Sequence, residues 1–262
     1  MFFPRETIMP RSRQLVLSSH IDRMTWDAAL ARLLDWGRRH DRRYVCLCNV
    51  HSAVTAAYDP TFESIVNNAD MAAPDGAPVA WAVRHFSHAA QDRINGPDLM
   101  WRAMAAAEEA ELSVYFYGGA PATLAALEAA AARRFPRLRL AGALSPPFRQ
   151  LTPEEDLEHV ARINASGAGL VFVGLGCPKQ ERWMAAHCGR VAAPMIGVGA
   201  AFDYHAGTLK RAPLWWQHHG LEWLYRLGSE PRRLAGRYLV GNTLFVLRLL
   251  RQMAAGRLAA PK

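Results

Sequence analysis

Short apolar runs alternate with stretches of helical periodicity along most of the chain. Gln14–Ser18 (QLVLS) and Tyr44–Asn49 (YVCLCN) read as strands. Between them, residues 25–37 carry apolar positions at helical spacing, with Thr25 placed as an N-cap. Helical patterns follow near 51–58 and 60–68, and then a short strand-like segment ends at Pro74. Residues 77–86 and 97–111 read as helices. The run LSVYFYGG (112–119) is a strand ending in two glycines, and Pro121 opens an alanine-rich helix running to about Phe135. RLRLAGAL (137–144) is a further strand. Thr152, with Glu155 three positions on and Pro153 at the first helical position, forms a capping box. GLVFVGLG (169–176) reads as a buried strand, Pro178 opens another helix, and PMIGVGAAF (194–202) supplies one more strand and its loop.

Strands alternating with helices in this way predict an α/β fold with a mainly parallel sheet covered on both faces. Ligands of such folds bind beyond the carboxyl ends of the strands. Asn49, Asp75, Tyr117–Gly119, the GLGCPKQE run (174–181) and the GVGAAFD run (197–203) all fall at such ends. From about Ala212 tryptophans, arginines and leucines recur at helical spacing. The expected organisation is an α/β core over 1–211 and a basic helical appendage of two or three helices over 212–262.

Charge sharpens that division. Residues 205–262 hold ten Lys or Arg and two acids, Glu222 and Glu230, so the whole net charge of +8 lies in the C-terminal fifth. The partner this implies is anionic: a phosphate, a membrane surface or a nucleic acid. No stacking or groove-reading module accompanies the basic residues, which disfavours nucleic acid. A basic amphipathic helix with Trp, Phe and Leu suits an anionic bilayer surface, and a solvated helix face is the plain alternative. Four cysteines without zinc-type spacing fit a reducing compartment, Cys46 and Cys48 sharing one face of a strand. No signal-peptide pattern opens the chain, and no run of eighteen apolar residues predicts a spanning helix. The histidines at 85, 88, 218 and 219 lack the companions of a metal site, and no Asp-x-Asp occurs, so neither metal nor cofactor is expected.

Two glycine runs carry candidate phosphate chemistry. Gly174 and Gly176, and Gly197 and Gly199, each form G-x-G after an apolar strand. Glycine lets backbone amides approach phosphate oxygens, and a helix N-terminus adds partial positive charge. Neither run completes G-x-G-x-x-G, which disfavours a dinucleotide-dependent oxidoreductase or epimerase. Lys179 and Gln180 follow on the first turn of a helix, one suited to phosphate and the other to a sugar or base. Asp75 stands between Pro74 and Gly76. The Asp-Gly pair signals a turn, yet a helical pattern rather than a second strand follows it. Near a helix N-terminus Asp75 would be favoured in its ionised form, as a general base requires. Turn former and base both remain open on the residues alone. Asp98, just inside a helix start, reads as a helix-dipole residue or a contact to a ligand hydroxyl, and Asn49 as a cap or a ligand contact. Arg226, Arg232 and Arg233 are the arginines suited to a diphosphate leaving group.

Taken together, NADMAAPDGAPVAWAVR, RINGPDLM, VYFYGG, VFVGLGCPKQERWM and the long run from GVGAAFD to LVGN resemble the WecG/TagA/CpsF family of bacterial glycosyltransferases (glycosyltransferase family 26) from about Leu15 to Asn242. The resemblance implies a Rossmann-like domain with a C-terminal appendage that helps close the site and meets the membrane. It implies inverting transfer of a hexose or N-acetylhexosamine from a UDP-sugar to a polyprenyl-diphosphate-linked sugar. The setting it implies is polysaccharide biosynthesis on the cytoplasmic side of the cell membrane, without a metal held by Asp-x-Asp. Asp75 matches the family's catalytic aspartate, Asn49 the asparagine of its T-x-N motif and Gln180 the glutamine of its PKQE block. Gly76, Gly118 and Gly119 belong to the same blocks, and the appendage arginines would face the UDP diphosphate. Leu47 stands where the family has threonine, so no hydroxyl is available there for an acceptor contact. A non-catalytic nucleotide-sugar-binding subunit of a polysaccharide assembly complex is the alternative, and the oligomeric state, a homo-oligomer included, stays open.

Overall fold

The computed structural model of the protein describes residues 11–259, apart from the side chains of His218, Arg233, Arg237 and 256–259. A hairpin, β1 (Arg13–Val16) and β2 (Ser19–Asp22), leads into α1 (Trp26–Arg38) and β3 (Tyr44–Cys48). Then come α2 (Val50–Tyr58), α3 (Pro60–Asn68), β4 (Met71–Pro74), α4 (Ala77–Ser87), α5 (Gly96–Glu109) and β5 (Val114–Gly118). They are followed by α6 (Pro121–Arg134), β6 (Leu140–Leu144), α7 (Pro153–Ala165), β7 (Leu170–Gly174), α8 (Lys179–His187) and β8 (Met195–Gly197). Four helices close the chain: α9 (Ala201–Ala206), α10 (Leu214–His218), α11 (Glu222–Ser229) and α12 (Pro231–Ala259).

Six strands form one parallel sheet in the order β4-β3-β8-β7-β5-β6. Alternate residues of each strand point to opposite faces. Cys46, Cys48, Tyr115, Tyr117, Val171 and Val173 pack on one face with α2, α3, α4, α7, α8 and part of α12. Val45, Leu47, Phe116, Leu170, Phe172 and Ile196 pack on the other with α1, α5, α6 and α9. Both faces are covered, which is why the central strands read as unbroken apolar runs. The Rossmann-like α/β expectation is met, as is the shared face of Cys46 and Cys48. The capping box at Thr152 and Glu155 is present with both of its hydrogen bonds.

The first predicted strand forms, but outside the main sheet. It ends at Val16 and folds back on β2, with Leu17 in the left-handed region at φ 59°. Two distant groups hold this hairpin. Asp22, almost fully buried, accepts from Arg11 and from the backbone amide of Ala72 in β4 at 2.7 Å. Gln252 of α12 accepts from the Leu17 amide at 2.8 Å and donates to the Leu15 carbonyl at 2.9 Å.

That clamp shows how α12 sits. Phe245 is 2% exposed and Leu249 8%, and both belong to the core cluster that includes Ala53 and Ala56 of α2. Through Phe245 and Leu249, α12 thus packs onto the α/β core, and other residues of α11 and α12 border the cleft described below. Truncating Phe245 to alanine should cost about 3–5 kcal/mol of unfolding free energy, the usual range for a buried phenylalanine. Urea denaturation of the Phe245→Ala variant checks this; a loss under 1 kcal/mol would mean that α12 is not part of the core.

Candidate active site

The sheet opens where its connections diverge. The chain leaves β5 toward the face that carries α6 and leaves β7 toward the face that carries α8, although β5 and β7 are neighbours. Divergence of this kind at adjacent strand ends makes a crevice beyond their carboxyl edge. A cleft of about 1370 Å³ lies there, walled on its outer side by α11 and α12.

Glycines shape its floor. A Cβ on Gly118, at φ 119°, would lie 2.7 Å from the Gly174 backbone, and one on Gly174 would lie 2.5 Å from the buried ring of Phe202. Neither position accepts a side chain without displacing backbone or a core ring. Gly119, Gly174, Gly176, Gly197 and Gly199 line the cleft, whereas Gly118 lies beneath it. Four helices start at this edge without a side-chain cap: α4 after Gly76, α6 after Ala120, α8 after Pro178 and α9 after Ala200. Their first amides and the positive ends of their dipoles face the same space, an arrangement suited to an anion.

Gln180 is a floor residue rather than a free hand. It is 4% exposed, its Oε1 accepts from the Gly176 amide at 3.2 Å, and its Nε2 donates to Glu181 at 2.9 Å. A Cβ on Gly197 would come within 3.0 Å of that Nε2. Gln180 therefore braces the two glycine loops against each other. Lys179, one residue earlier, is exposed on the cleft lining.

Asp75 lies at the other side of the floor, held by three elements. Its Oδ2 accepts from Asn49 Nδ2 at 3.3 Å and its Oδ1 from the Gly96 amide at 3.3 Å. Its backbone amide donates to the Cys48 carbonyl at 2.9 Å, and its carbonyl accepts from Arg93 Nε at 2.6 Å. Asn49 also caps α2, its Oδ1 accepting from the amides of His51 and Ser52. The two readings of Asn49, cap and site residue, thus coincide in one amide. A helix does follow Asp75, as expected, but the carboxyl is not favoured in its ionised form. Burial pushes the carboxyl above the ordinary carboxylate value, against the pull of Arg93 and Asn49, and Glu222 pushes the same way as burial.

Asp98 stands apart from the cleft lining. Asn95 Nδ2 donates to it at 2.7 Å, and Arg211 reaches it at 2.5 and 3.0 Å. Burial opposes its ionisation, but Arg211 and Asn95 outweigh that and hold it below the ordinary value. Its hydrogen bonds serve the start of α5 and its tie to Arg211. Among the appendage arginines, Arg226 lines the cleft, with its guanidinium 5.7 Å from the centre of the Tyr204 ring. Arg226 Nε and the Tyr204 hydroxyl are both buried and make no hydrogen bond among the described residues. Burial pushes the Tyr204 phenol up to about 12, so it stays a hydroxyl donor at neutral pH. Arg232 is exposed and off the lining, and the side chain of Arg233 lies outside the described residues. Leu47, at the family's threonine position, is buried and apolar on the floor.

The structure adds residues that the sequence reading did not single out: Arg93, Tyr204, Glu222 and Trp223. Arg93 falls inside the quoted RINGPD block, but its partner Glu222 is 129 positions away. Among the described residues no group of three or more His, Cys, Asp or Glu side chains could hold a metal ion. No helix of the described residues is long and apolar enough to cross a membrane.

A Rossmann-like sheet with a glycine-lined cleft, uncapped helix starts and one raised carboxyl defines an α/β protein suited to a phosphate-bearing substrate. The chain belongs to the WecG/TagA/CpsF family of glycosyltransferases, whose model matches residues 14–259. The match takes in the whole six-stranded sheet, the cleft and all of α12.

The raised carboxyl carries a consequence for stability. As pH rises, the unfolded chain releases this proton first, so native stability falls from the ordinary carboxylate range, about 4, up to the raised native value, and stays lower above it. Asp75→Asn should therefore be more stable than the wild type at pH 7, with the gain shrinking toward pH values below about 4. Urea midpoints at both pH values check this; an unchanged or lower midpoint at pH 7 would contradict the burial of a strained charge.

Proposed function

We propose that the protein is an inverting glycosyltransferase that moves a hexose or N-acetylhexosamine from a UDP-sugar to a polyprenyl-diphosphate-linked sugar in cell-surface polysaccharide synthesis. The observation that carries this reading is the Asp75 carboxylate, held by Asn49 and Gly96 on the floor of a cleft built for an anion. Burial raises the carboxyl above the ordinary carboxylate value, which makes its ionised form a stronger base than a solvated aspartate, the direction that general-base catalysis favours.

The step balances without a covalent intermediate. Asp75 takes the proton of the acceptor hydroxyl as its oxygen forms a bond to the anomeric carbon. The bond from that carbon to the UDP β-phosphate oxygen breaks, and UDP leaves with the electron pair. A single displacement inverts the anomeric centre. Charge develops on the departing diphosphate, where the first amides of α6 and α8, Lys179 and Arg226 are preorganised to meet it. The Tyr204 hydroxyl and Arg226 Nε, both without a hydrogen bond among the described residues, supply donors on the appendage side.

The acceptor lipid calls for contact with a membrane surface. Leu239, Val240, Val246, Leu247 and Leu250 are exposed along α12, beside Arg232 and Arg251. An apolar stripe flanked by arginines suits an anionic bilayer interface. Because Phe245 and Leu249 on the same helix are core, point substitutions test this contact more cleanly than truncation. Leu239→Glu with Val246→Glu and Leu250→Glu should lower co-sedimentation with phosphatidylglycerol vesicles by at least about tenfold. The urea midpoint should stay near that of the wild type. Undiminished binding would remove α12 from the membrane contact.

A panel of UDP-sugars tested with a polyprenyl-diphosphate-sugar acceptor, followed as UDP release and inverted product, tests the activity itself. Asp75→Asn should lower kcat by about 10²–10⁴-fold while UDP-sugar binding persists. Near-normal turnover in that variant would remove Asp75 from the role of base.

A further inference from the structure

Glu222 is one of only two acids in the strongly basic stretch from residue 205 onward. It sits at the first position of α11, and its side chain is 12% exposed. It turns inward, away from the cationic surface around it, and meets two arginines of the α/β core. Its Oε2 accepts from Arg93 Nη2 at 2.5 Å, and its Oε1 lies 3.9 Å from Arg211 Nε.

Arg93 has a second engagement. Its Nε donates to the backbone carbonyl of Asp75 at 2.6 Å. One planar guanidinium therefore joins the first turn of α11 to the peptide that follows Asp75. Arg211 runs in parallel, from Glu222 to Asp98 and Asn95 at the start of α5, whose Gly96 amide donates to Asp75 Oδ1. Both routes converge on the same carboxylate, one through its main chain and one through its hydrogen-bond donor.

We propose that Glu222 is a positioning residue: seating of α11 over the cleft engages Arg93 through Glu222 and so sets the orientation and charge environment of Asp75. The proposal rests on the reading of Asp75 as the base. Two physical effects act together. The first is geometric. A rigid guanidinium held at both ends fixes the peptide between Asp75 and Gly76, and with it the direction of the carboxylate. The second is electrostatic. Arg93 draws the Asp75 carboxyl down and Glu222 pushes it up, so an engaged Glu222 offsets an arginine that would otherwise weaken the base. The pair is only partly exposed, at 23% and 12%, so it is screened far less than a surface ion pair.

The groups that face Asp75 are few enough for a clean test. They are the Asn49 amide, the Gly96 amide, Arg93, Glu222 and the Cys48 thiol, and His51, Lys179 and Glu181 are further titratable groups on this part of the cleft lining. Glu222→Gln keeps the shape and removes the charge; Glu222→Ala removes the link altogether. The first readout needs no substrate. Hydrogen–deuterium exchange of the full chain should speed up in Glu222→Ala within 214–230 and also within the distant segments 72–80 and 93–98.

The second readout is kinetic. Glu222→Gln should move the acid limb of the kcat/KM profile to lower pH, because Arg93 then acts on Asp75 unopposed. Glu222→Ala should lower kcat by about 10²-fold, the scale set by misplacing a reacting group by about 1 Å. Faster exchange confined to 214–230 together with an unmoved acid limb would overturn the proposal, even if turnover fell. If instead Asp75→Asn kept its turnover, the base reading would fail, while the exchange result would still report whether Glu222 holds the Asp75 segment. A urea midpoint for Glu222→Gln close to the wild type shows that the fold is intact in the variant compared.

Discussion

Everything at the cleft depends on how closely the ends of β5 and β7 approach. The two strands pair in register as far as Gly118 opposite Gly174, and the Gly119 amide still donates to the Gly174 carbonyl at 3.2 Å. A side chain on either glycine would collide with backbone or with Phe202. Held this tightly, the strands must send their connections to opposite faces within a residue or two. That divergence separates α6 from α8 and opens the space between their N-termini. The anion cradle is thus a product of sheet geometry first, and of polar side chains second.

The floor of the cleft takes Asp75 largely out of solvent, and that burial is the main influence on its carboxyl. A carboxylate placed beneath a helix start in open solvent would be favoured as the ion. Here the carboxyl is instead pushed up, with burial the largest cause. The protein does not neutralise the penalty fully, as it does at Asp98, where Arg211 and Asn95 hold the carboxylate ionised. Two aspartates at comparable places, each just beside a helix start, are driven in opposite directions by their neighbours. Pairs of carboxyls pushed apart in this way separate a structural acid from a chemical one.

Local periodicity made the sheet legible. Strand ends, the Thr152 capping box, the glycine turns and the placement of Asp75 before a helix all depend on residues within a few positions of each other. What the sequence concealed depends on long-range contact. The β1–β2 hairpin owes its closure to Gln252, 235 positions beyond Leu17. The core role of Phe245 and Leu249 was masked by a basic amphipathic pattern, because a helix that faces both core and solvent reads as an appendage when its partner helix is unknown. Arg93 lay in plain view among motif residues, but its significance comes from Glu222, and nothing in either residue's neighbourhood announces the other. Of the three arginines the sequence favoured, Arg226 lines the cleft. Charge density alone could not distinguish it from the exposed Arg232.

The distribution of helix caps shows where the fold yields to the site. Thr25, Asp59 and Thr152 cap α1, α3 and α7 with side-chain oxygens, a device worth about 1 kcal/mol each. Four helices that open on the cleft, α4, α6, α8 and α9, lack it. At Asn49 and Asn95 the compromise is finer. Each amide uses its oxygen to cap a helix and its nitrogen to donate to an aspartate, Asp75 in one case and Asp98 in the other. Aspartate would cap as well but would repel the neighbouring carboxylate, and serine has too short a reach to serve both ends. Asparagine is the side chain that satisfies helix and carboxylate together. At the rim of the cleft the sequence leaves helix starts uncapped or gives one residue two tasks. Local consistency that lapses at one place is what a binding edge is expected to show.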